Sequence, residues 1–242
     1  MTALEELVAP LKEIEVLSPD ECDEIRGRIH ALREHWIPRR PDVPFFTLGT
    51  ASYLDATNGR AAQYSAGAER TNPVLAQHFG ELHQRLLEKL AAEVGEPCRL
   101  EPGLAYPGFH VFGFHPMFTK PLASVHFDMQ YLSIDWSAYG KLDFDRQLSI
   151  TLSIRLPAGG GGLRVWNINQ LDLRKLSKED AAAMQRANAE PEYHPYRAGT
   201  MVLHSGHQLH QIAPAPKLVE GDERLTLQAH AVPATDGWIV YW

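Results

Sequence analysis

The chain has 242 residues, 44% hydrophobic and 22% charged, which is ordinary for a globular protein and excludes a wholly disordered or collagen-like chain. Lys and Arg number 23 against 30 Asp and Glu, so the formal net charge is −7, which argues against general nucleic-acid binding. Two cysteines, Cys22 and Cys98, make neither a disulfide framework nor a four-thiolate zinc site. The opening MTALEELVAPLKEIEV lacks a basic stretch followed by an apolar one, and no run of about 18 apolar residues follows it. The expectation is a cytoplasmic protein with no membrane partner, its length compatible with one domain spanning 1–242.

In chain order, Leu4, Leu7, Leu11 and Ile14 recur at helical spacing. Ser18-Pro19-Asp20-Glu21 reads as a capping box with proline at the first helical position, opening a helix to about His35 that Pro38, Pro41 and Pro44 end. Residues 50–70 are small and polar and read as a loop. Asn72-Pro73 opens a third helix through Leu75, Phe79, Leu82, Leu86, Leu87 and Leu90, stopped at Gly95. Residues 1–96 are therefore expected to form a helical N-terminal part.

After Pro97 the pattern changes to strands. GFHVFGF at 108–114 is aromatic and β-branched. In QLSITLSIRL, Leu148, Ile150, Leu152, Ile154 and Leu156 fall on one face, the period of a strand with one face buried. Gly159–Gly162 reads as a turn, and LRVWNI, TMVLH, RLTLQAHAV and GWIVYW as further strands. Between them SKEDAAAMQRAN (177–188) reads as a short helix with a second capping box, Ser177 to Asp180. Helices followed by a run of strands predict an α+β, mainly β chain, with a sandwich or barrel at 97–242 and the helices on one side.

Three features carry chemistry. His126 and Asp128 are two apart, so on a strand imidazole and carboxylate point the same way, with Phe127 opposite. Five of the 12 histidines, His194, His204, His207, His210 and His230, fall in the last fifth of the chain. Two histidines and a carboxylate from separate strands fill one side of Fe(II) and leave the other side open. Finally, Arg224, Thr226, Gln228 and His230 alternate with Leu225, Leu227, Ala229 and Ala231, so that strand lines something polar. A guanidinium fork with a nearby hydroxyl suits a carboxylate.

His126-x-Asp128, then His210 in a GT-hydrophobic-hydrophobic-x-x-SG-x-x-x-H context, then Gly221-x-x-Arg224-x-Thr226 resembles the Fe(II)- and 2-oxoglutarate-dependent dioxygenase superfamily. The strand, glycine turn and strand of RQLSITLSIRLPAGGGGLRVWN fit the same pattern, and the likeness covers about residues 100–232. The resemblance implies a double-stranded β-helix (jelly-roll) core at 97–242. It implies His126, Asp128 and His210 as catalytic iron ligands, and Arg224, assisted by Thr226, as the site for the distal carboxylate of 2-oxoglutarate. Molecular oxygen would be the second co-substrate, 2-oxoglutarate would be decarboxylated to succinate, and the substrate hydroxylated. Iron halogenases of similar pattern carry a small residue where Asp128 stands, so the aspartate argues for hydroxylation.

Other readings of these residues stay open. His204 and His207 compete with His210, though only His210 precedes the hydrophobic-x-Pro stretch Ile212-Ala213-Pro214 expected from the resemblance; His204 also suits an orienting role. Arg155 and Arg164 are alternatives to Arg224, and His230 suits a satisfied core position. Tyr131, Trp166 and Arg164 are candidate substrate contacts, each with core packing or solvation as its alternative. Segments 50–70 and 169–197 are candidate lids. The expected partner is a small-molecule substrate such as an amino acid or a biosynthetic intermediate. A protein side-chain hydroxylase, a non-catalytic cupin-like metal- or ligand-binding module and a zinc hydrolase are the rivals. The N-terminal helices suit either a homodimer contact or a brace for the barrel.

Overall fold

The computed structural model describes residues 11–121 and 123–242. Leu4 and Leu7, half of the first proposed helical stripe, lie outside them. The other half corrects that expectation: Lys12–Glu15 is a strand, β1, paired antiparallel with residues 200–203. Four residues of local spacing cannot distinguish a helix from an edge strand whose partner lies far along the chain.

Helix α1 (Pro19–Ala31) begins at Ser18, whose hydroxyl accepts from the Glu21 amide while the Glu21 carboxylate accepts from the Ser18 amide. Short strands β2 (Ile37–Pro38) and β3 (Phe45–Leu48) follow, then a single turn, α2 (Ser52–Asp55). Helix α3 (Ala61–Val94) starts well before Pro73, which corrects the loop expected over 61–70. It closes at Gly95, which takes the left-handed conformation (φ 74°) that a glycine tolerates. Strands β4 (Cys98–Leu100), β5 (Gly108–Phe112), β6 (Leu148–Arg155) and β7 (Gly162–Asn169) come next. The insert holds α4 (Gln170–Leu173) and α5 (Lys178–Ala187), the latter capped by Ser177. The chain ends in β8 (Glu192–Pro195), β9 (Thr200–Ser205), β10 (Gln208–Ala213), β11 (Arg224–Ala234) and β12 (Gly237–Tyr241).

The large sheet runs β1-β9-β6-β11-β5-β3-β2, and β12 pairs with the far half of β11 and with β4. The small sheet runs β10-β7-β8. Every pair is antiparallel except β4 with β12. The N-terminal third is thus not purely helical, since β1, β2 and β3 extend both edges of the large sheet.

The alternation in β6 decides which side does what. Leu148, Ile150, Leu152 and Ile154 pack with Leu225 and Leu227 of β11 against Ile25 and Ile29 of α1 and Leu75, Phe79 and Leu86 of α3. Burying each such side chain stabilises by about 1.5–3 kcal/mol. The opposite face is buried as well: Ser149, Thr151 and Ser153 are all nearly inaccessible. That corrects the one-face expectation, because the hydroxyl side of β6 looks into the interior, where Ser149 and Thr151 line a cavity.

Two positions give predictions. His83, on α3, bonds the Pro107 carbonyl through Nε2 at 2.8 Å, and burial pushes its pKa down from 6.5 to about 4. A depressed histidine binds fewer protons folded than unfolded, so its contribution is whole above pH 6.5 and is lost as pH falls towards 4. Acidifying from pH 7 to 5 is expected to remove about 2 kcal/mol through this residue. Urea titrations should show a His83→Gln variant losing correspondingly less over that interval; equal losses would refute the assignment. At Gly108, an added Cβ would sit 2.6 Å from the Leu48 carbonyl oxygen and strike the Trp242 ring. Gly108→Ala is therefore expected to cost about 1–3 kcal/mol of overpacking, read as a lower urea midpoint.

Candidate metal centre

His126 enters the site by backbone pairing. Its amide donates to the His210 carbonyl at 2.9 Å, and the His210 amide donates back to His126 at 3.0 Å. Both residues therefore sit side by side although 84 positions separate them in the chain, and their ring centroids are 4.5 Å apart. The Asp128 amide donates to the Gly206 carbonyl at 2.8 Å, and Gln147 Nε2 donates to the Asp128 carbonyl. A Cβ at Gly206 would crowd the Gln147 side-chain amide that makes this bond.

One donor atom from each of His126, Asp128 and His210 lies within 4.8 Å of the other two. The contacts are His126 Nε2 to Asp128 Oδ1 at 3.6 Å and His210 Nε2 to Asp128 Oδ2 at 3.5 Å. Each ring's Nδ1 lies on a backbone carbonyl, that of Ser124 at 2.7 Å for His126 and of Gln208 at 2.8 Å for His210. A carbonyl accepts only, so Nδ1 carries the proton and the Nε2 lone pair is free to bind a cation.

Asp128 is almost out of water, and its carboxylate accepts from the Ser149 hydroxyl. Burial alone would raise its pKa; the imidazoles facing it, His210 foremost, outweigh this and hold the carboxyl below its usual range. Burial lowers His210 and His230 while Asp128 pulls both back up, and burial takes His204 down to about 3. Two imidazole nitrogens and an ionised carboxylate on one side of a cavity are a donor set that fits a divalent first-row ion such as Fe(II).

The cavity measures about 600 Å³ and holds this cluster together with His204, Arg224, Gln228 and His230. Arg224 has no carboxylate partner among the described residues. Its guanidinium lies 5.5 Å from the Tyr196 ring centre, and among the described residues its Nε has no partner and its one hydrogen bond is a 3.5 Å contact to the Ala213 carbonyl. Burial lowers its pKa. A buried guanidinium without a counter-charge is costly unless an anion joins it.

No protein-family model matches the chain, and a search of curated proteins finds no match. Solved structures do resemble it. An N-substituted L-amino acid dioxygenase in complex with alpha-KG, from Burkholderia ambifaria AMMD, matches with a TM-score of 0.58 at 15% identity, covering 99% of this chain and 90% of that one. The chain shares its fold. AviO1 from Streptomyces viridochromogenes Tue57 gives 0.51 at 14% identity over 97% and 95% of the two chains. The non-heme alpha ketoglutarate dependent carbocyclase SnoK from nogalamycin biosynthesis gives 0.50 at 16% over 97% and 86%.

The remaining candidates divide. Thr226 is buried but lies outside the cavity lining; it accepts from Gln228 Nε2 at 2.9 Å, and Thr151 donates to the other end of that amide at 3.0 Å. His207 is tied into the structure by Gln170 and the Phe144 carbonyl. Three suggested substrate contacts fall away from the cavity. Tyr131 stacks on Phe144 with centroids 4.8 Å apart. Trp166 donates to the Ala189 carbonyl in the insert, and Arg164 reaches Gln211. Of segment 169–197 only Tyr196 lines the cavity, whereas Tyr53 and Thr57 reach it from 50–70. Ser149, Tyr53, His110 and Trp242 line it without having been singled out in the sequence as site residues. The signal for Ser149 was available, in the small hydroxyl residues alternating with the apolar ones along β6.

Proposed function

We propose that this protein is an Fe(II)- and 2-oxoglutarate-dependent oxygenase that hydroxylates a small molecule, with His126, Asp128 and His210 holding the iron. The observation that carries this is one cavity containing both a three-donor cation site and a part-buried guanidinium with no carboxylate partner among the described residues. Arg224 would take the distal carboxylate of 2-oxoglutarate through its fork, a bidentate charge-assisted contact. The Tyr196 ring flanks that guanidinium, and Thr226 and Thr151 hold the Gln228 amide in the same cavity wall. Ser149 and Gln147 fix the Asp128 carboxylate and backbone, and the two carbonyls under His126 and His210 fix their tautomers. Bound iron supplies dioxygen activation coupled to decarboxylation of 2-oxoglutarate to succinate.

The two sheets are read as the walls of a double-stranded β-helix, and the chain as one domain with its core at 97–242 and β1–β3 as added edge strands. A cavity within the roughly 300–1,000 Å³ usual for small-molecule sites favours such a substrate over a protein side chain. The shared fold with an N-substituted L-amino acid dioxygenase points the same way.

Anaerobic protein mixed with Fe(II) and 2-oxoglutarate is expected to develop a weak visible charge-transfer band, and succinate once oxygen is admitted. A folded sample that gives neither would leave a binding module or a zinc hydrolase instead.

A further inference from the structure

The oxygenase reading leaves the second occupant of the cavity undefined, and the wall chemistry constrains it. His110, on β5, is ringed by aromatic groups: Phe45, Phe112, Tyr53 and Trp242 all lie with ring centres 5.4–5.8 Å from its own. Phe45 and Phe112 stack on each other at 4.4 Å with an interplanar angle of 2°, forming an apolar pair in the wall. All five side chains line the cavity.

Two polar atoms within this lining lack partners among the described residues. His110 Nε2 meets the Tyr53 hydroxyl at 2.5 Å, leaving Nδ1 as an orphan. With the tyrosine as donor, Nδ1 carries the proton, and burial keeps the ring neutral with its pKa pushed down to about 3. Gln130 Nε2 is the second orphan. The turn that carries Gln130 packs against α2, which carries Tyr53. His110 and Gln130 are each more than nine-tenths buried. Buried donors of this kind are destabilising until an acceptor arrives.

The charge inventory excludes a class of ligand. Among the described lining residues Asp128 is the only carboxylate, and the proposed iron occupies it. The cations are Arg224 and Arg40, the second already paired with Asp42 at 2.9 Å. An ammonium brought into this space would lose hydration and gain no free counter-charge. We propose that the substrate is a neutral or anionic small molecule with an apolar body and a carbonyl-type acceptor, and without a free ammonium, recognised by the His110–Tyr53 pair, Gln130 and the stacked Phe45–Phe112 pair.

This rests on the oxygenase reading, and calorimetry separates the two. Protein loaded with redox-inert Zn(II) and saturated with 2-oxoglutarate is titrated with three probes of one phenyl body: N-acetyl-L-phenylalanine, L-phenylalanine and phenethylamine. The acetylated probe is expected to bind at least about tenfold more tightly than either amine. His110→Phe and Gln130→Leu are each expected to weaken it by about tenfold while leaving 2-oxoglutarate binding unchanged. Phenethylamine or L-phenylalanine binding as tightly as the acetylated probe would overturn the proposal, the aromatic ring of residues then serving as a cation site. So would no binding of the acetylated probe, or full affinity in both variants. If either variant fails to fold, the wild-type ranking of the probes decides alone. Failure of 2-oxoglutarate itself to bind would overturn the oxygenase reading instead.

Discussion

Asp128→Ala is expected to abolish iron binding and succinate formation together while the protein stays folded. Asp128 supplies the only carboxylate of the three-donor cluster, and two neutral imidazoles alone hold Fe(II) weakly at one side of an open site. Loss of an outer partner of a metal ligand already costs roughly 10–100-fold in affinity, so removing the ligand itself is expected to exceed about 100-fold. The fold has little reason to follow. The backbone bonds of residue 128 to Gly206 and Gln147 do not use the carboxylate, and the main core lies on the other face of β6. Anaerobic calorimetry with Fe(II), alongside circular dichroism, checks this. Wild-type iron affinity in the variant would remove Asp128 from the ligand set.

The second large effect is at Arg224. Arg224→Gln is expected to weaken 2-oxoglutarate binding by about 30-fold or more, since truncating one partner of a buried charge pair costs about 2–5 kcal/mol. Iron affinity should stay within about threefold of wild type, because Arg224 touches none of the three metal-binding side chains. Stability should move the other way. Without 2-oxoglutarate the wild-type guanidinium is buried with no counter-ion among the described residues, so the glutamine variant is expected to unfold at an equal or higher urea concentration. Adding 2-oxoglutarate should then stabilise the wild type and not the variant. A variant that lost iron and 2-oxoglutarate equally would mean that Arg224 supports the metal cluster instead.

The elements that the sequence displayed best were those whose pattern is local. The Ser18 capping box, the apolar stripe from Leu75 to Leu90 and the alternation of β6 depend on neighbours a few residues away, and the structure contains each. Helix α3 was hidden upstream because Asn72-Pro73 looks like a beginning. In the fold the Asn72 side chain is drawn off to the Leu104 carbonyl and the Tyr106 amide, and the helix runs through it. Strand β1 was hidden because the strand it pairs with, β9, lies far along the chain.

The site divides in the same way. His126, Asp128, His210 and Arg224 stood out by spacing, and they occupy one cavity. Tyr53 and His110 did not, because each looks like a packed aromatic until β3, β5 and the bidentate Arg39–Asp55 pair set α2 over the cavity. Tyr131 and Trp166 lie outside the cavity lining for a related reason. Aromatic type alone does not show which side of a wall a ring occupies.

The reciprocal amide bonds between residues 126 and 210, with a carbonyl under each ring's Nδ1, hold the two imidazoles at working separation, so loading an ion demands no rearrangement and little loss of chain freedom. Stripping the protein with a chelator should then yield an empty, native-like scaffold, in contrast to domains that collapse without their ion. Different divalent ions should be interchangeable by dialysis, without any refolding step.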